Sequence, residues 1–401
     1  MKVLVINTGS SSIKYQLFNM PEGAVMCSGL VEKVGEKEGK LTHLKYPDAS
    51  GEKKHIENNA IENHSVGMQR VAELLVDDTN GVIDSASEVD LVGHRVVHGG
   101  EEFSSTIEIT EAVKNKIKEL SSLAPLHNPA NLIGIEVSEQ IFTSAKQVGV
   151  FDTAFHQSIP EYAYRYAIPS ELYYEHGVRV YGFHGTSHRY ITKRAASLLK
   201  KPLNEVNLVT IHLGNGASMA AVKNGKSIDT TLGLTPLPGL VMGTRSGDID
   251  PGVIFYLNET LGYELKDIKN LLNKESGLKG LAGDNDMRGV SERAENGDKA
   301  ALLALEVYTY RIKKYIGSYM AAIGTKLDAI VFTAGVGENS SLVRSMSVAN
   351  LAHLGIELDL SLNKKRSGER KISTNESRID IWVIPTNEEL EIARQAYEIE
   401  A

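Results

Sequence analysis

The groups in this chain able to do chemistry are few, and most stand where an apolar run ends in glycine or a polar turn. Asn7-Thr8-Gly9-Ser10-Ser11-Ser12-Ile13-Lys14 follows the apolar run Val3 to Ile6. Gly9 lets the backbone approach a ligand closely, the serines offer hydroxyls and N–H groups, and Lys14 adds a positive charge. Such a tip suits a phosphate; it equally fits an ordinary Ser/Gly hairpin, since the Gly-x4-Gly-Lys-Ser/Thr spacing of a P-loop is absent. Asp152 closes the apolar stretch Gln147 to Phe151, the usual way an α/β fold presents an acid at a cleft. His184 and His188 have zinc-pair spacing, but with no Glu after the first and no third ligand a histidine at a helix N-terminus beside an anion is the favoured reading. Arg245 is the only cation between Thr230 and Gly252, the longest run without helical or strand periodicity. A loop of that length is functional or disordered, and its apolar residues argue against disorder. Asp248 and Asp250 within it either ligate a metal or, as favoured, hold Arg245 and cap the next helix. Near the end, Thr386 and Glu389 have capping-box spacing, which puts Glu388 beside a helix N-terminus, placed to work through a bound cation.

The elements that position these groups repeat. Val3 to Phe18 reads as strand, polar tip and returning strand, and Leu208 to Gly225 aligns with it without a gap, Gly9 on Gly214 and Asn19 on Asn224. A later pair, Asp90 to Gly100 and Asp328 to Gly337, reads as a strand ending in two closely spaced glycines each time. The pattern implies two similar α/β halves with glycine-rich tips lining a cleft. The boundary is expected near residue 150, giving domains 1–150 plus 385–401 and 151–384.

The remaining elements follow from periodicity. Helices are expected at Val66 to Leu75 and Glu111 to Leu123, then from Leu132 after the two-proline segment Ala124 to Asn131, and from Arg189. The proline segment is either functional or a helix connection with Asn caps. Asp298 and Gly324 bracket a long helix, suited to a core or a subunit interface. Arg95 and Val97 stand two apart on one strand, so their side chains are expected on one face, one able to meet a carboxylate and the other a methyl group.

With 401 residues, 42% hydrophobic and 23% charged, the chain has the composition of an ordinary soluble protein large enough for two domains. The net charge of −8 disfavours nonspecific nucleic-acid or membrane binding. A single cysteine, Cys27, leaves no internal disulfide framework. With no signal-peptide layout and no apolar run of about 18 residues, the expected location is cytoplasmic.

Taken together, Asn7 to Lys14, Gly93 to Gly100, Phe151 to His156, Gly182 to His188, His212 to Gly216, Thr244 to Asp248 and Pro385 to Glu389 resemble the acetate kinase family nearly end to end. The resemblance implies an α/β, duplicated ribonuclease-H-like (actin-like ATPase) fold and a homodimer whose interface lies in the second domain. It implies reversible, Mg²⁺-dependent transfer of the ATP γ-phosphoryl group to acetate, with Mn²⁺ able to substitute. Asn7 and Glu388 would then hold the metal, largely through water, and Lys14 would contact the polyphosphate. The nucleotide would lie on His212, Leu213, Gly214, Asn215 and Gly216, on Asp286, Met287 and Arg288, and on Gly335, Val336, Gly337, Glu338 and Asn339. Arg95 and Arg245 would hold the acetate carboxylate and the transferring phosphoryl, His184 would stabilise the transition state, and Val97, Leu126, Phe183 and Pro236 would surround the methyl group. Leu234 and Pro238 depart from the Phe and Glu common in relatives, beside the substrate loop, so acyl-chain preference is open to propionate or butyrate.

The chemistry agrees with these roles. In-line phosphoryl transfer needs positioning and neutralisation of charge on the equatorial oxygens, to which two guanidiniums, an imidazole and Mg²⁺ are suited. A carboxylate acceptor is already deprotonated at neutral pH, so Asp152, in the family's acid/base position, is expected to orient rather than to take a proton. The rival from another class, an ATP-gated chaperone module, would need a peptide-binding segment after Glu388.

Overall fold

The computed structural model describes residues 1–47, 51–125, 127–366 and 368–400. The chain forms two compact units, Met1–Phe155 with Asn387–Ala401, and His156–Thr386. Asp152 thus belongs to the first unit, whereas a boundary at 150 would place it in the second.

In the first unit β1 (Lys2–Thr8), β2 (Ser12–Asn19), β3 (Ala24–Glu32), β4 (Lys40–Lys45), β5 (Lys53–Glu57), β6 (Leu91–Val96), β7 (Ile107–Glu108) and β8 (Lys146–Phe151) form one sheet, ordered β5-β4-β3-β2-β1-β6-β8-β7. The continuous apolar run of β1 is buried on both faces. Leu4 and Ile6 pack with Ile13, Tyr15, Leu17 and the helix His64–Leu75 on one side. Val3 and Val5 pack on the other with Ile392, Ala393 and Ala396 of the helix Glu388–Glu400, so the end of the chain completes the core begun by its first strand. Cys27 is buried in the first of these layers, and burial pushes its thiol up to about 12, which leaves it unreactive at neutral pH.

In the second unit β9 (Leu208–Leu213), β10 (Ala217–Lys223), β11 (Lys226–Thr230), β12 (Ala329–Thr333), β13 (Arg370–Lys371) and β14 (Asp380–Val383) are ordered β11-β10-β9-β12-β14-β13. The two sheets repeat one strand pattern. In the first, β3, β2 and β1 are antiparallel and β6 and β8 continue parallel to β1. In the second, β11, β10 and β9 are antiparallel and β12 and β14 continue parallel to β9. This repeated order is the duplicated ribonuclease-H-like, actin-like ATPase fold, and it gives the gapless alignment of the two hairpins its structural meaning. The second pair of glycine motifs diverges more: β12 ends at Thr333, and Gly335 and Gly337 lie inside the short helix Ala334–Asn339, whereas Gly99 and Gly100 follow β6 in irregular backbone.

Several helices begin earlier than periodicity implies. The helix after the two prolines spans Asn128–Ile141 with Pro129 in its first turn, where the missing N–H has no intrahelical partner to lose. The helix expected from Arg189 spans Gly185–Leu199. The long helix is Lys299–Ile323, with the Asp298 side chain accepting from Ala300 and Ala301 and Gly324 left-handed at its end.

The end of β6 carries an acid-sensitive element. His94 is buried with its ring bonded to the Gln147 side chain at 2.7 Å, and burial lowers its pKa to about 4; His98, also buried, is lowered to about 4 for the same reason. A histidine depressed in the folded state takes up fewer protons than the unfolded chain between its two pKa values. Their contribution is therefore full above the ordinary value near 6.5 and is lost as pH falls from there towards 4. Denaturant unfolding at pH 7 and pH 5 is expected to find native protein losing more stability than His94→Gln; equal losses would place the acid-sensitive groups elsewhere.

Candidate active site

The helix Asn128–Ile141 fixes the tips of β1 and β6. Asn131 donates to the Thr8 carbonyl at 2.7 Å and accepts from Val97 N–H at 3.1 Å, while Asn128 accepts from His98 N–H at 3.1 Å and donates to its carbonyl at 3.0 Å. The helix approaches β1 so closely that a Cβ on Gly134 would stand 2.2 Å from Thr8 Oγ1. The two asparagines therefore serve as clamps on strand ends rather than as caps. Their spacing around Pro129 was visible in the sequence, but their strand-end partners, 30 to 123 residues away, were not.

On those clamped ends, Arg95 donates through Nε at 3.0 Å and Nη2 at 2.5 Å to one Asp152 oxygen, and through Nη1 at 3.3 Å to Asn7 Oδ1. Asp152 follows β8, the parallel neighbour of β6, and its side chain is 1% exposed. Burial opposes the charge on Arg95, yet Asp152 and Glu388 outweigh it and hold its pKa above the ordinary arginine value. Asp152 thus fixes the direction of the Arg95 guanidinium. Val97 lies one residue beyond the end of β6, so strand alternation does not put it on the face of Arg95; its backbone is set by Asn131 instead. Leu126 lies outside the described residues.

The expected capping box does not form. Asn387 caps the final helix by accepting from Leu390 N–H at 3.0 Å, and Thr386 Oγ1 lies 2.9 Å from Ser187 Oγ. Glu389 pairs with Lys14 at 2.5 Å. Glu388 is in the first turn, as expected. Burial pushes its carboxyl up to about 7 against the opposing pull of Arg95, and Asp152 and Glu389 add to the rise. The half-buried Glu388 carboxylate and the amide oxygen of Asn7, both facing Arg95, are oxygen donors of the kind Mg²⁺ takes, one or two from protein with the rest left to water and substrate phosphates. Among the described residues no three His, Cys, Asp or Glu side chains gather to hold a metal.

The second unit presents a different group. His184 precedes the helix Gly185–Leu199 with φ +58, a left-handed conformation costing about 1–3 kcal/mol at a non-glycine residue and characteristic of functional sites. Its ring stacks on His212 at 4.4 Å, and His212 Nδ1 is 2.8 Å from Ser187 Oγ. A Cβ built on Gly216 would stand 3.6 Å from both the Arg245 guanidinium and His184 Cε1, so arginine, imidazole and glycine tip are brought together. Arg245 donates to the Pro236 carbonyl at 2.8 Å, and burial lowers its pKa. Phe183 is buried, its carbonyl 3.1 Å from His156 Nε2. Asp248 does not hold Arg245. It accepts from Gly239 N–H at 2.7 Å and Tyr315 OH at 2.6 Å and faces Arg311, while Asp250 accepts from Gly252 N–H at 2.8 Å at the next helix. Both aspartates are structural.

A pocket of about 290 Å³ in this unit collects Gly214, Asn215, Asp286, Met287 and Val336 from all three segments of the nucleotide expectation, with Gly243, Asn285 and Tyr308 added by the fold. Leu213 ends β9 beneath it, and Asp286 caps the following helix through Arg288 N–H while pairing with the exposed Arg288 side chain at 2.6 Å. Gly335, Gly337, Glu338 and Asn339 share the short helix with Val336 but do not line the pocket. Arg344, fully buried, holds that helix through the Gly337 and Glu338 carbonyls at 2.8 and 3.0 Å. Gly243 is the addition with a clear test, because a Cβ there would stand 2.1 Å from Asn215 Oδ1 and 3.2 Å from the Asn285 carbonyl. Gly243→Ala is expected to raise KM for ATP about tenfold, equivalent to ~1.4 kcal/mol, with a smaller change in kcat. An unaltered KM would remove this pocket from nucleotide binding.

Residues 2–394 match the model of the acetokinase family. The chain is 54% identical over 400 residues to the acetate kinase of Oleidesulfovibrio alaskensis, spanning 100% of this chain and 99% of that protein, and 54% identical over 400 residues to that of Flavobacterium johnsoniae, with the same coverage. Among solved structures it superposes on Porphyromonas gingivalis acetate kinase with a TM-score of 0.94 and 46% identity over 100% of both chains. It superposes on a propionate kinase from Francisella tularensis subsp. tularensis with a TM-score of 0.91 and 43% identity over 99% of both. A match this long, on a chain that folds as the duplicated ATPase, makes this protein a member of the acetokinase family.

Proposed function

We propose that the protein transfers the γ-phosphoryl group of ATP in line to acetate, reversibly, giving acetyl phosphate and ADP. The observation that carries the reading is the 54% identity, along the whole chain, to proteins named acetate kinase. ATP lies in the pocket of Gly214, Asn215, Asp286, Met287 and Val336. The acetate carboxylate is held by Arg95, kept in place by Asp152, and Arg245 and His184 act on the transferring phosphoryl. No general base is needed, because the acceptor enters as a carboxylate. Asn7 and Glu388 hold Mg²⁺, Lys14 reaching the polyphosphate when Glu389 releases it. When bound, the ion would neutralise charge on the phosphates.

The protein acts as a cytoplasmic homodimer through its second unit; exposed Phe255, Tyr256, Leu261 and Leu265 there, with Leu302, Leu303 and Tyr310 on the long helix, support that face. No helix among the described residues is long and apolar enough to cross a membrane.

Val97, Phe183 and Pro236 surround the methyl group. The likeness to a propionate kinase keeps a longer acid in view, as do Leu234, whose N–H donates to Tyr166 OH at 3.0 Å, and Pro238 near it. An acyl-hydroxamate assay with ATP and Mg²⁺ is expected to rank acetate above propionate and propionate above butyrate, since one methylene is worth about 1–3 kcal/mol in such a pocket. Propionate turned over faster than acetate would overturn the substrate. Val97→Ala is expected to narrow the acetate-to-propionate ratio; an unchanged ratio would take Val97 out of the pocket wall.

A further inference from the structure

We propose that Ser218 and His188 are positioning residues that fix which nitrogen of His184 carries its proton. The inference rests on the reading of His184 as a group acting on the transferring phosphoryl. Ser218 lies on β10 opposite His212. Its Oγ is 2.8 Å from His184 Nδ1 and 2.8 Å from His188 Nε2. A hydroxyl has one proton, so it can donate to one of these nitrogens only, and the other must donate to it. The protonation of the two imidazoles towards Ser218 is therefore opposite and coupled.

His188 continues the chain of bonds. Its Nδ1 is 2.8 Å from Thr210 Oγ1, which lies 3.5 Å from the Ala220 carbonyl. Ser218, His188 and Thr210 are buried, and burial, with the neighbouring His156 and His212, keeps His188 neutral, so it has a single ring proton. A backbone carbonyl only accepts. Starting from it, Thr210 donates to Ala220, His188 donates from Nδ1 to Thr210, Ser218 donates to His188 Nε2, and His184 donates from Nδ1 to Ser218.

An imidazolium donates from both nitrogens, so this polarity, in which Ser218 accepts from Nδ1, is the one compatible with a charged His184. Stacking on His212 holds the plane of the ring, while the bond to Ser218 fixes its rotation within that plane. The four-residue spacing of His184 and His188, which in sequence resembles half a zinc site, here brings two imidazoles one helical turn apart onto a single hydroxyl.

The full-length protein labelled with ¹⁵N-histidine tests the assignment by NMR, with His184→Ala and His188→Gln identifying the resonances. His184 Nδ1 is expected to give a protonated-nitrogen signal at neutral pH, and Ser218→Ala to convert it to tautomer-averaged shifts. The same substitution should lower kcat up to about a hundredfold, the scale of a small misplacement, leaving KM for ATP unchanged because Ser218 does not line the nucleotide pocket. His188→Gln, which keeps a polar side chain but has no ring tautomers, should lose the protonated signal as well, and it serves if Ser218→Ala fails to fold. An unprotonated His184 Nδ1 in the native protein, or a signal that neither variant moves, would overturn the relay. Native-like kcat in His184→Ala would instead remove His184 from the reaction while leaving the nitrogen signature intact, so the two failures are distinguishable.

Discussion

Arg245→Ala is expected to lower kcat by about 10²–10³-fold, equivalent to ~2.7–4 kcal/mol, while the Kd for ATP stays near its native value. The guanidinium is fixed by the Pro236 carbonyl and stands with His184 at Gly216, in a loop with no other cation between Thr230 and Gly252. In the proposed reaction it would meet charge developing on the phosphoryl oxygens, and it belongs to no part of the pocket lined by Asp286 and Met287. Arg245→Lys should recover little, because a flexible ammonium cannot both bond Pro236 and present a second donor in the fork geometry. The hydroxamate assay and calorimetric titration of ATP measure the two quantities. Near-native kcat in the alanine variant would remove Arg245 from the transition state, and a comparable loss of ATP affinity would make it a nucleotide ligand instead.

The second large effect decides what Asp152 does. Asp152→Asn leaves the Arg95 guanidinium facing a neutral amide at a site where the partner side chain is 1% exposed. Removing one member of a buried ion pair costs about 3–5 kcal/mol, and the lower end is expected because the Arg95 side chain keeps 21% of its surface. Arg95→Ala should lower kcat by orders of magnitude. If Asp152 works only through Arg95, the double variant Arg95→Ala with Asp152→Asn should be no slower than Arg95→Ala alone. A further loss of tenfold or more in the double variant would mean that Asp152 meets the substrate or a proton directly. Denaturant unfolding of the four proteins separates lost stability from lost chemistry.

The identity of this fold was legible in the sequence because its signals are local. Val3 to Ile6 is apolar and long enough for a strand buried on both faces, and the turn after it is long enough in polar residues to be a tip. The same signal at Leu208 to Gly225 revealed a duplication before any sheet order was known. Asp298 and Gly324 bounded their helix to the residue, since a side-chain cap and a left-handed terminus involve neighbours only a few positions away.

Tertiary structure decided the partners. Thr386 and Glu389 satisfy a capping box by spacing, yet Ser187 is close enough to take the threonine and Lys14 the glutamate, leaving the cap to Asn387. Asp248 faced Arg245 across two residues of sequence and was claimed by Arg311 and Tyr315 from a helix more than sixty residues on. Asn128 and Asn131 look like caps until β1 and β6 arrive beside them, and His188 has only its spacing from His184 to mark it until β10 brings Ser218 between the two. A hydrogen bond or ion pair is set by distance and direction over a few ångströms, and spacing along the chain fixes those only within one turn of a helix or one hairpin. The sequence therefore marked the candidate residues by type and spacing, while which group holds each of them in place followed only from the packing of segments far apart in it.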